Sequence, residues 1–335
     1  MEHVNTMKVS VCIPTYNQAD YLELAIQSAA NQTHKPFEII VSNDCSTDGT
    51  YEVLRKLSLE IPNLKVKHQP ENLGIAKNVD ACLRMADGDF VIRLDSDDQL
   101  LPDYTKSLLE LFSRYPQAGY AHAAVQEIDQ DGNYLHLRML IRKTGFQESK
   151  DALKLAIKGY KVAANIIMFK KEALIKVNYV TGRPNYVEDY HLTTSISAAG
   201  FGNIYLNQVH SYYRVWVDSG KVRQKRKLLE ITGLRCVFEQ VIEPTYIKLG
   251  WKLNAVKRSR VHFACKQSDC LSWEVYDSEE KRELTQALLQ LSSSPQSKLI
   301  IWGNLNGFGT IISIYPKLIL AGKSFIKSII HKLRH

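Results

Sequence analysis

Cysteine is scarce in this 335-residue chain, and its distribution argues against two kinds of site. The six cysteines, at positions 12, 45, 82, 236, 265 and 270, include no C-x-x-C pair, and several lie in apolar runs. A disulfide framework and a zinc site are therefore not predicted. The polar N-terminal residues 1–8 also lack the pattern of a secretory signal. We expect reduced thiols and a cytoplasmic protein.

Several widespread enzyme motifs are missing as well. The opening strand is followed by Pro14-Thr-Tyr-Asn17 rather than G-x-G-x-x-G, so a Rossmann dinucleotide site is not predicted. The P-loop pattern G-x-x-x-x-G-K-S/T does not occur, and neither do H-E-x-x-H and G-x-S-x-G. No Gly/Ser-rich or Pro-rich linker and no internal repeat divides the chain. Its length predicts one large domain or two modest ones.

Acidic residues are depleted in two stretches of a chain whose net charge is +8. Residues 298–335 carry six Lys or Arg and no acid, and residues 221–227 carry five basic side chains in seven. Such asymmetry is typical of proteins with an anionic partner. Solvated basic surfaces without a partner are the alternative.

The order of predicted elements indicates an α/β fold. The first 125 residues alternate strands at 8–14, 37–41, 64–67 and 90–94 with helices at 20–31, 50–59 and 75–86. Helices follow at 150–158, 171–177 and 187–199 and strands at 164–169, 203–206 and 209–216, and the chain beyond 223 has a helical pattern. Continuous apolar strands in this rhythm predict a mostly parallel sheet with helices on both faces, plus a helical C-terminal extension.

Three carboxylates follow the predicted strand at 90–94, in the run Leu94-Asp-Ser-Asp-Asp98. Because residues two apart on an extended backbone point the same way, Asp95 and Asp97 can address one point. Paired carboxylates suit Mg²⁺ or Mn²⁺, and ligands of open α/β sheets bind at the carboxyl ends of strands. An acidic loop that caps the helix beginning near Pro102 is the alternative interpretation.

Four segments at strand ends together resemble the family 2 glycosyltransferases of the GT-A fold, of the bacterial polysaccharide type. These are Val11–Asn17, Glu38–Thr50, Asn72–Gly74 with Lys77 and Asn78, and Leu94–Asp98. Their order and spacing match the family over roughly residues 8–217.

The resemblance implies that a nucleoside-diphosphate sugar binds at Pro14, Thr15, Tyr16, Asn17, Asp44, Lys77, Asp95, Ser96 and Arg214. It assigns Asp44 to recognition of the nucleotide base, because a carboxylate can accept a hydrogen bond from the N3–H of uracil. It assigns Asp97 and Asp95 to Mn²⁺ or Mg²⁺, with Asp97 the direct ligand. Asn43 departs from the family, which commonly has a second aspartate there. We interpret Asp48 as an N-cap for the helix at 50–59.

The segment Tyr186-Val-Glu-Asp-Tyr-His-Leu192 resembles the family's E-D segment, which supplies the catalytic base. Asp189 is therefore predicted as the general base, with Glu188 as a neighbour that orients the acceptor. Acidic residues at a helix start also occur for stability alone. His191 is chemically able to act as a base, but its position matches no catalytic residue of the family.

Tyr212-Tyr-Arg214 resembles the family's Y-R segment, and an arginine there would complete the diphosphate clamp. A surface arginine on an edge strand is the alternative. The longer Q-x-x-R-W signature of processive synthases is absent, which disfavours a cellulose or chitin synthase.

The resemblance implies an inverting, metal-dependent transfer from a nucleoside-diphosphate sugar, UDP-sugar favoured, to a saccharide or lipid-linked saccharide in surface polysaccharide synthesis. Residues 1–220 would form the catalytic domain, with a nucleotide-sugar half at 1–125 and an acceptor half at 126–220. A nucleotidyltransferase or phosphatase using the same aspartates is one alternative. Gln99 argues against the phosphatase, because the phosphatase signature needs a small β-branched residue at that position. A basic nucleic-acid-binding module is the other, but no recognised motif supports it, and no nucleic-acid partner is expected.

The helical, basic region at 221–335 ends in an amphipathic pattern. Residues 316–335 place Leu, Ile and Phe on one side of a helix and Lys or Arg around it. This pattern is typical of a helix lying in a membrane interface, where anionic headgroups attract basic residues. We expect a peripheral location on the inner face of the cell membrane. A helix docked on the protein's own core is the alternative.

Overall fold

The computed structural model describes residues 6–216 and 224–308. Within these residues, ten strands form one sheet. They are β1 (Val9–Thr15), β2 (Glu38–Asn43), β3 (Leu64–His68), β4 (Phe90–Arg93), β5 (Gln99–Leu100), β6 (Ala118–Ile128), β7 (Tyr134–Arg138), β8 (Gly145–Gln147), β9 (Ile167–Lys170) and β10 (Gly202–Arg214). Their order in the sheet is β3-β2-β1-β4-β9-β6-β10-β5, with β7 paired to β6 and β8 paired to β10.

The sheet is parallel in its first half and mixed beyond it. Strands β3, β2, β1 and β4 pair in parallel, as the sequence predicts, because a helix separates each from the next. Strand β9 then runs antiparallel between β4 and β6, and β7 returns from β6 as a hairpin. Strands β5, β6, β7 and β8 are additions to the predicted order. Of these, β6 and β7 form a hairpin, whereas β5 and β8 pair antiparallel with β10. The two strands expected at 203–206 and 209–216 are the single strand β10, whose register shifts midway.

Helices cover both faces of the sheet and enclose two apolar cores. Val11 and Ile13 of β1 pack into one core, whereas Cys12 packs into the other, since alternate residues of a strand face opposite sides. The helices before residue 200 are α1 (Ala19–Ala30), α2 (Thr50–Glu60), α3 (Ile75–Arg84), α4 (Tyr104–Arg114), α5 (Ser149–Ala156), α6 (Lys171–Lys176) and α7 (Glu188–Ala198). Helices α1, α2 and α4 cover the first face, and α3, α6 and α7 cover the second. The predicted α/β class is confirmed.

The chain beyond 223 is helical, as predicted, up to the last described residue. It forms α8 (Lys227–Cys236), a π-helix (Val237–Ile242), α9 (Glu243–Lys248), α10 (Asn254–Gln267), a 3₁₀-helix (Ser268–Ser272), α11 (Ser278–Leu291) and α12 (Pro295–Leu305). These helices share a third apolar core with Ala156 of α5 and Tyr190 of α7. The C-terminal helices therefore pack directly behind the helix that carries Glu188 and Asp189.

The prediction for residues 316–335 concerns a segment outside the described residues. Among the helices within 6–216 and 224–308, none has the length and apolar character needed to span a bilayer.

Candidate active site

A cavity of about 750 Å³ opens at the carboxyl ends of β1, β2 and β4. The predicted site residues that line it are Pro14, Thr15, Tyr16, Asp44, Asp95, Ser96, Asp97 and Arg214. The parallel strands end at one edge of the sheet, so residues far apart in sequence meet there. Lys77 is exposed on α3 and does not line the cavity. Asn17, Glu188 and Asp189 also lie outside its lining.

Asn17 and Asp48 join the loops around the cavity. Asn17 has a φ of 53°. Its backbone N–H donates to Ser46 Oγ at 2.9 Å, and its Oδ1 accepts from the backbone N–H of Thr47 at 2.8 Å. The Asp48 carboxylate accepts from the backbone N–H groups of Thr50 and Ala19 at 3.0 Å each, at the starts of α2 and α1. The N-cap position of α2 is Gly49. The prediction of Asp48 as the N-cap is therefore wrong by one residue, although its carboxylate accepts from the first backbone N–H of the helix.

Asp44 is buried and fixes the loop that forms one wall of the cavity. Its Oδ1 accepts from the backbone N–H of Leu73 at 2.7 Å, and its Oδ2 accepts from that of Gly74 at 3.0 Å. Gly74 has a φ of 79°, in the left-handed region where a side chain would be strained. Asp44 therefore holds this loop in place, in addition to the recognition of the nucleotide base that the sequence predicts for it.

Arg93 is the centre of the site, and sequence reasoning missed it. It ends β4, lines the cavity and is only 3% exposed. Its Nε donates to Asp95 Oδ1 at 3.1 Å, and its Nη1 donates to Glu188 Oε1 at 3.2 Å and to Asp189 Oδ1. A buried guanidinium needs such partners, because an unpaired charge there would cost several kcal/mol. The signal in the sequence was an arginine inside the apolar strand Phe90–Arg93.

The cluster formed by Arg93, Asp95, Glu188 and Asp189 has a surplus of negative charge. Burial raises the pKa of Asp189 well above its ordinary value, the Arg93 charge opposes the rise, and the Glu188 charge adds to it. Burial likewise raises the pKa of Glu188, with Arg93 opposing. For Arg93, burial lowers the pKa, but the three carboxylates outweigh burial and raise it. One guanidinium therefore does not balance three carboxylates, so this cluster is disposed to accept a proton.

The backbone at Val187 is strained at the point where it presents these carboxylates. Val187 immediately precedes α7 and has a φ of 69°, an outlier for a β-branched residue. The loop is held by α8, where a Cβ added to Gly233 would lie 2.3 Å from the carbonyl oxygen of Tyr186. The C-terminal helices thus support the strained turn, and such strain is typical of functional sites.

Asp95 and Asp97 both line the cavity, in an arrangement that suits a hard divalent cation. Asp97 Oδ2 accepts from Trp216 Nε1 at 2.7 Å. Burial raises the pKa of Asp97, and the repulsion from the Asp95 charge adds to the rise. A cation bound beside both carboxylates would offset this repulsion. Among the described residues, no group of three or more His, Cys, Asp or Glu is placed to hold a metal. Two carboxylates with the remaining positions left to phosphate and water are the usual magnesium environment, so the residues fit.

Asp98 has a structural role beside this pair. Its Oδ1 accepts from the backbone N–H of Arg214 at 2.7 Å, while its buried Oδ2 has no hydrogen-bond partner among the described residues. Burial raises the pKa of Asp98 well above its ordinary value, and the charges of Asp97 and Asp95 add to the rise. Asp98 therefore links β10 to the acidic turn.

Arg214 lines the cavity, but the protein already uses much of its guanidinium. Its Nε donates to the carbonyl of Asp97 at 3.0 Å, its Nη1 donates to the carbonyl of Gln130 at 3.0 Å, and its guanidinium lies 4.4 Å from the Tyr21 ring centroid.

Arg226 also lines the cavity, is exposed, and makes no ion pair with any described residue. It belongs to the basic run at 221–227 that the sequence singled out. This cation was not predicted as a site residue.

The contacts of His191 within the protein agree with its failure to match a catalytic residue of the family. Its Nε2 lies 2.9 Å from Gln240 Oε1, and its Nδ1 faces Arg183 and Ser195. Burial and, to a smaller extent, the Arg183 charge lower the pKa of His191 to about 4. The imidazole is therefore neutral near pH 7 and occupied by contacts within the protein.

Comparison with known proteins places this site in a family. The family model described as Glycosyl transferase family 2 matches residues 10–177. The chain is 28% identical over 255 residues to a Bacillus subtilis glycosyltransferase named for teichuronic acid biosynthesis, TuaG, covering 75% of this chain and 96% of the relative. It is 35% identical over 134 residues to the hyaluronan synthase of Pasteurella multocida, covering 40% of this chain but 14% of that relative. This chain thus spans only a small part of that synthase.

Two solved structures share the fold across most of the chain. TarS of S. aureus, residues 1–349 in complex with UDP-GlcNAc, matches with a TM-score of 0.68 and 17% identity over 93% of this chain and 92% of that chain. The mannosyltransferase PcManGT of Pyrobaculum calidifontis, in complex with GDP-Man and Mn²⁺, matches with a TM-score of 0.54 and 18% identity over 92% and 87%. The GT-A fold implied by the sequence motifs is confirmed. With its family model matching half of its length over the strand ends that form the cavity, this chain belongs to glycosyl transferase family 2.

Proposed function

We propose that this protein is an inverting, metal-dependent glycosyltransferase that moves a sugar from a nucleoside-diphosphate sugar to an acceptor hydroxyl. One observation carries the proposal. The cavity at the strand ends contains the Asp95–Asp97 pair, and Arg93 connects its wall directly to Glu188 and Asp189. The Arg93 guanidinium thus contacts both Asp95, on the donor side, and Asp189, which would accept the proton.

The donor side of the cavity fits a nucleoside diphosphate. Pro14, Thr15 and Tyr16 at the end of β1 line the cavity next to Asp44, whose backbone N–H donates to the Thr15 carbonyl at 3.0 Å. The nucleoside would bind against these adjacent strand ends. UDP is favoured because a carboxylate at Asp44 would accept from the N3–H of uracil. TarS with UDP-GlcNAc and PcManGT with GDP-Man support a sugar nucleotide as the donor class.

The diphosphate would lie between the acidic turn and Arg226. A bound Mg²⁺ or Mn²⁺, held by Asp97 and Asp95, would neutralise charge on the leaving diphosphate. Arg226 supplies a cation that no described carboxylate occupies, so its guanidinium is available to phosphate oxygens. Arg214 supports this edge by holding the carbonyls of Asp97 and Gln130 in place.

Asp189 accepts the proton of the attacking hydroxyl, and Glu188 orients the acceptor. Asp189 Oδ1 is bound by Arg93, and no described residue donates a hydrogen bond to Oδ2. Because Asp189 lies outside the cavity lining, the proposal requires the acceptor to approach Oδ2 beside Arg93. The raised pKa of Asp189 makes this carboxylate a stronger base than an ordinary aspartate. The attack is a single displacement at the anomeric carbon, which inverts its configuration.

The acceptor is proposed to be a saccharide or a lipid-linked saccharide in surface polysaccharide synthesis. The relatives named for teichuronic acid biosynthesis and hyaluronan synthesis support a growing polysaccharide as the acceptor class. The proposal includes the predicted cytoplasmic location, at the inner face of the membrane where such acceptors are elongated.

A panel of UDP-, GDP- and dTDP-sugars tests the proposal. Purified protein with Mn²⁺ or Mg²⁺ should release nucleoside diphosphate from one donor class and should be thermally stabilised by that donor. The anomeric configuration of the product, measured by NMR, should be opposite to that of the donor. Retention of configuration, or no stabilisation by any sugar nucleotide, would contradict the proposal.

A further inference from the structure

The two carboxylates proposed to hold the cation have different partners within the protein. Asp95 Oδ1 accepts from Arg93 Nε at 3.1 Å, so this carboxylate is already paired with a buried positive charge. Asp97 makes no ion pair with any described residue, and its Oδ2 accepts instead from a neutral donor, Trp216 Nε1, at 2.7 Å. The negative charge of Asp97 is therefore available to a bound cation, whereas that of Asp95 is shared with Arg93.

The hydrogen bond from Trp216 restrains one oxygen of the Asp97 carboxylate. A distance of 2.7 Å lies at the short end of the range for N–H donors, as expected for a charged acceptor. Within the part of the chain that the structure describes, no other side chain donates to this carboxylate. With Oδ2 held by the indole, Oδ1 is left to bind a cation through a single oxygen.

Neighbouring contacts hold the Trp216 side chain where this hydrogen bond needs it. The preceding residue, Val215, donates its backbone N–H to the carbonyl of Ile128 at 2.8 Å and so extends the pairing of β10 with β6. The indole packs perpendicular to the Tyr21 ring, with the two ring centroids 5.3 Å apart. The other contact of the Tyr21 ring is the Arg214 guanidinium, at 4.4 Å. Trp216 is therefore positioned by α1 and by the end of β10, and not by Asp97 alone.

The end of β10 also holds the backbone of the acidic turn. Arg214 Nε donates to the carbonyl of Asp97 at 3.0 Å, and the Arg214 backbone N–H donates to Asp98 Oδ1 at 2.7 Å. Arg214 thus fixes the main chain of Asp97, and Trp216 fixes its side chain. Neither residue forms an ion pair with the Asp97 carboxylate. The carboxylate is therefore oriented without a protein cation that would compete with a metal ion.

The alternative is that Trp216 blocks the cation, since its indole lines the cavity and is 43% exposed. A blocking side chain would have to leave Asp97 before a cation could bind. The packing against Tyr21 and the extended strand pairing oppose such a movement. The hydrogen bond also occupies only one of the two carboxylate oxygens. Mg²⁺ is usually bound by one or two carboxylates together with phosphate and water, so one oxygen of Asp97 suffices.

We propose that Trp216 is a positioning residue for the cation, whose indole N–H holds the Asp97 carboxylate in the orientation that binds Mn²⁺ or Mg²⁺. This inference rests on the proposed function, because it requires a cation at Asp97. Residues that hydrogen-bond to metal ligands typically change metal affinity by about 10- to 100-fold when they are replaced. Removal of the N–H should therefore weaken cation binding although no ligand is lost.

The test measures the dissociation constant of Mn²⁺ alone for the full chain, by electron paramagnetic resonance of the free ion. Trp216→Phe keeps an aromatic ring beside Tyr21 but removes the N–H donor, so the dissociation constant should rise about tenfold or more. Trp302→Phe is the matched control, because Trp302 is 54% exposed on α12 and does not line the cavity. The control should bind Mn²⁺ like the unmodified protein.

A second variant separates the N–H group from the packing of the ring. Trp216→Gln retains an N–H donor but loses the contact with Tyr21, so it should bind Mn²⁺ more tightly than Trp216→Phe. The opposite order, or equal losses in both variants, would assign the effect to ring packing and overturn the proposal. The melting temperatures of Trp216→Phe and Trp302→Phe without metal should be alike, since both side chains are substantially exposed. A lower value for Trp216→Phe alone would indicate a general structural role instead.

The proposal is also overturned if Trp216→Phe binds Mn²⁺ as tightly as the unmodified protein. Tighter binding would identify Trp216 as a block. No Mn²⁺ binding by the unmodified protein would overturn this proposal together with the assignment of a cation to Asp97. Binding that does not respond to Trp216→Phe would overturn this proposal alone, because the transfer reaction is tested separately with sugar nucleotides.

Discussion

Removal of the buried Arg93 guanidinium should destabilise the protein strongly and in a pH-dependent way. In Arg93→Met, an unbranched apolar side chain replaces the arginine, and three carboxylates are left without their common partner. Breaking a buried ion pair by removing one member costs about 3–5 kcal/mol. Arg93 is 3% exposed and contacts Asp95, Glu188 and Asp189, so we expect a loss within this range at pH 8.

The sign of the pH dependence follows from the raised pKa values of Glu188 and Asp189. Without Arg93, their folded-state pKa values should rise further above the unfolded values of about 4. A carboxyl group with a raised folded-state pKa favours folding when it is protonated, and this contribution is lost as the pH rises through that pKa. The deficit of Arg93→Met should therefore be smallest near pH 5 and should grow toward pH 8.

Urea denaturation followed by circular dichroism at pH 5, 6.5 and 8 measures this deficit. Arg282→Met is the matched control, because Arg282 pairs with Glu279 on an exposed helix surface, where an ion pair contributes at most about 1 kcal/mol. In Arg93→Met/Asp189→Asn, the second change removes one unpaired charge, so the double variant should be less destabilised than the sum of the two single ones. A deficit below about 1 kcal/mol at pH 8, or one that does not change with pH, would refute the reasoning.

Three further predictions concern the metal, the base and the supporting loop. Asp97→Ala should remain folded but lose nearly all turnover, and activity should require Mn²⁺ or Mg²⁺; full activity in excess EDTA would contradict the assignment. Asp189→Asn should lower kcat about 10²-fold or more with donor binding nearly unchanged. An active Asp189→Asn together with an inactive Glu188→Gln would show that Glu188, not Asp189, is the general base. Gly233→Ala should lower both stability and kcat, because its Cβ would meet the Tyr186 carbonyl oxygen, whereas Gly250→Ala, which has open space but a φ of 70°, should affect stability alone.

The sequence alone determined the elements whose signals are local. The βα alternation predicted the parallel half of the sheet, because apolar runs and helix periodicity are set within ten to fifteen residues. The carboxylates at 95–98 were placed at a strand end and Glu188 and Asp189 at a helix start for the same reason. Motif spacing then identified the family over the segments that form the cavity.

The tertiary structure decided what depends on contacts between distant residues. The sequence could not show that Arg93 joins Asp95 to carboxylates more than ninety residues away. It also could not show that α8 brings Gly233 to the strained turn at Val187, and that Arg226 reaches the cavity. The antiparallel strands β7 and β9 depend on their pairing with β6 and β4, which no local pattern in the sequence indicates. Such partners have no sequence signature, because their selection follows from packing and charge balance once the chain has folded.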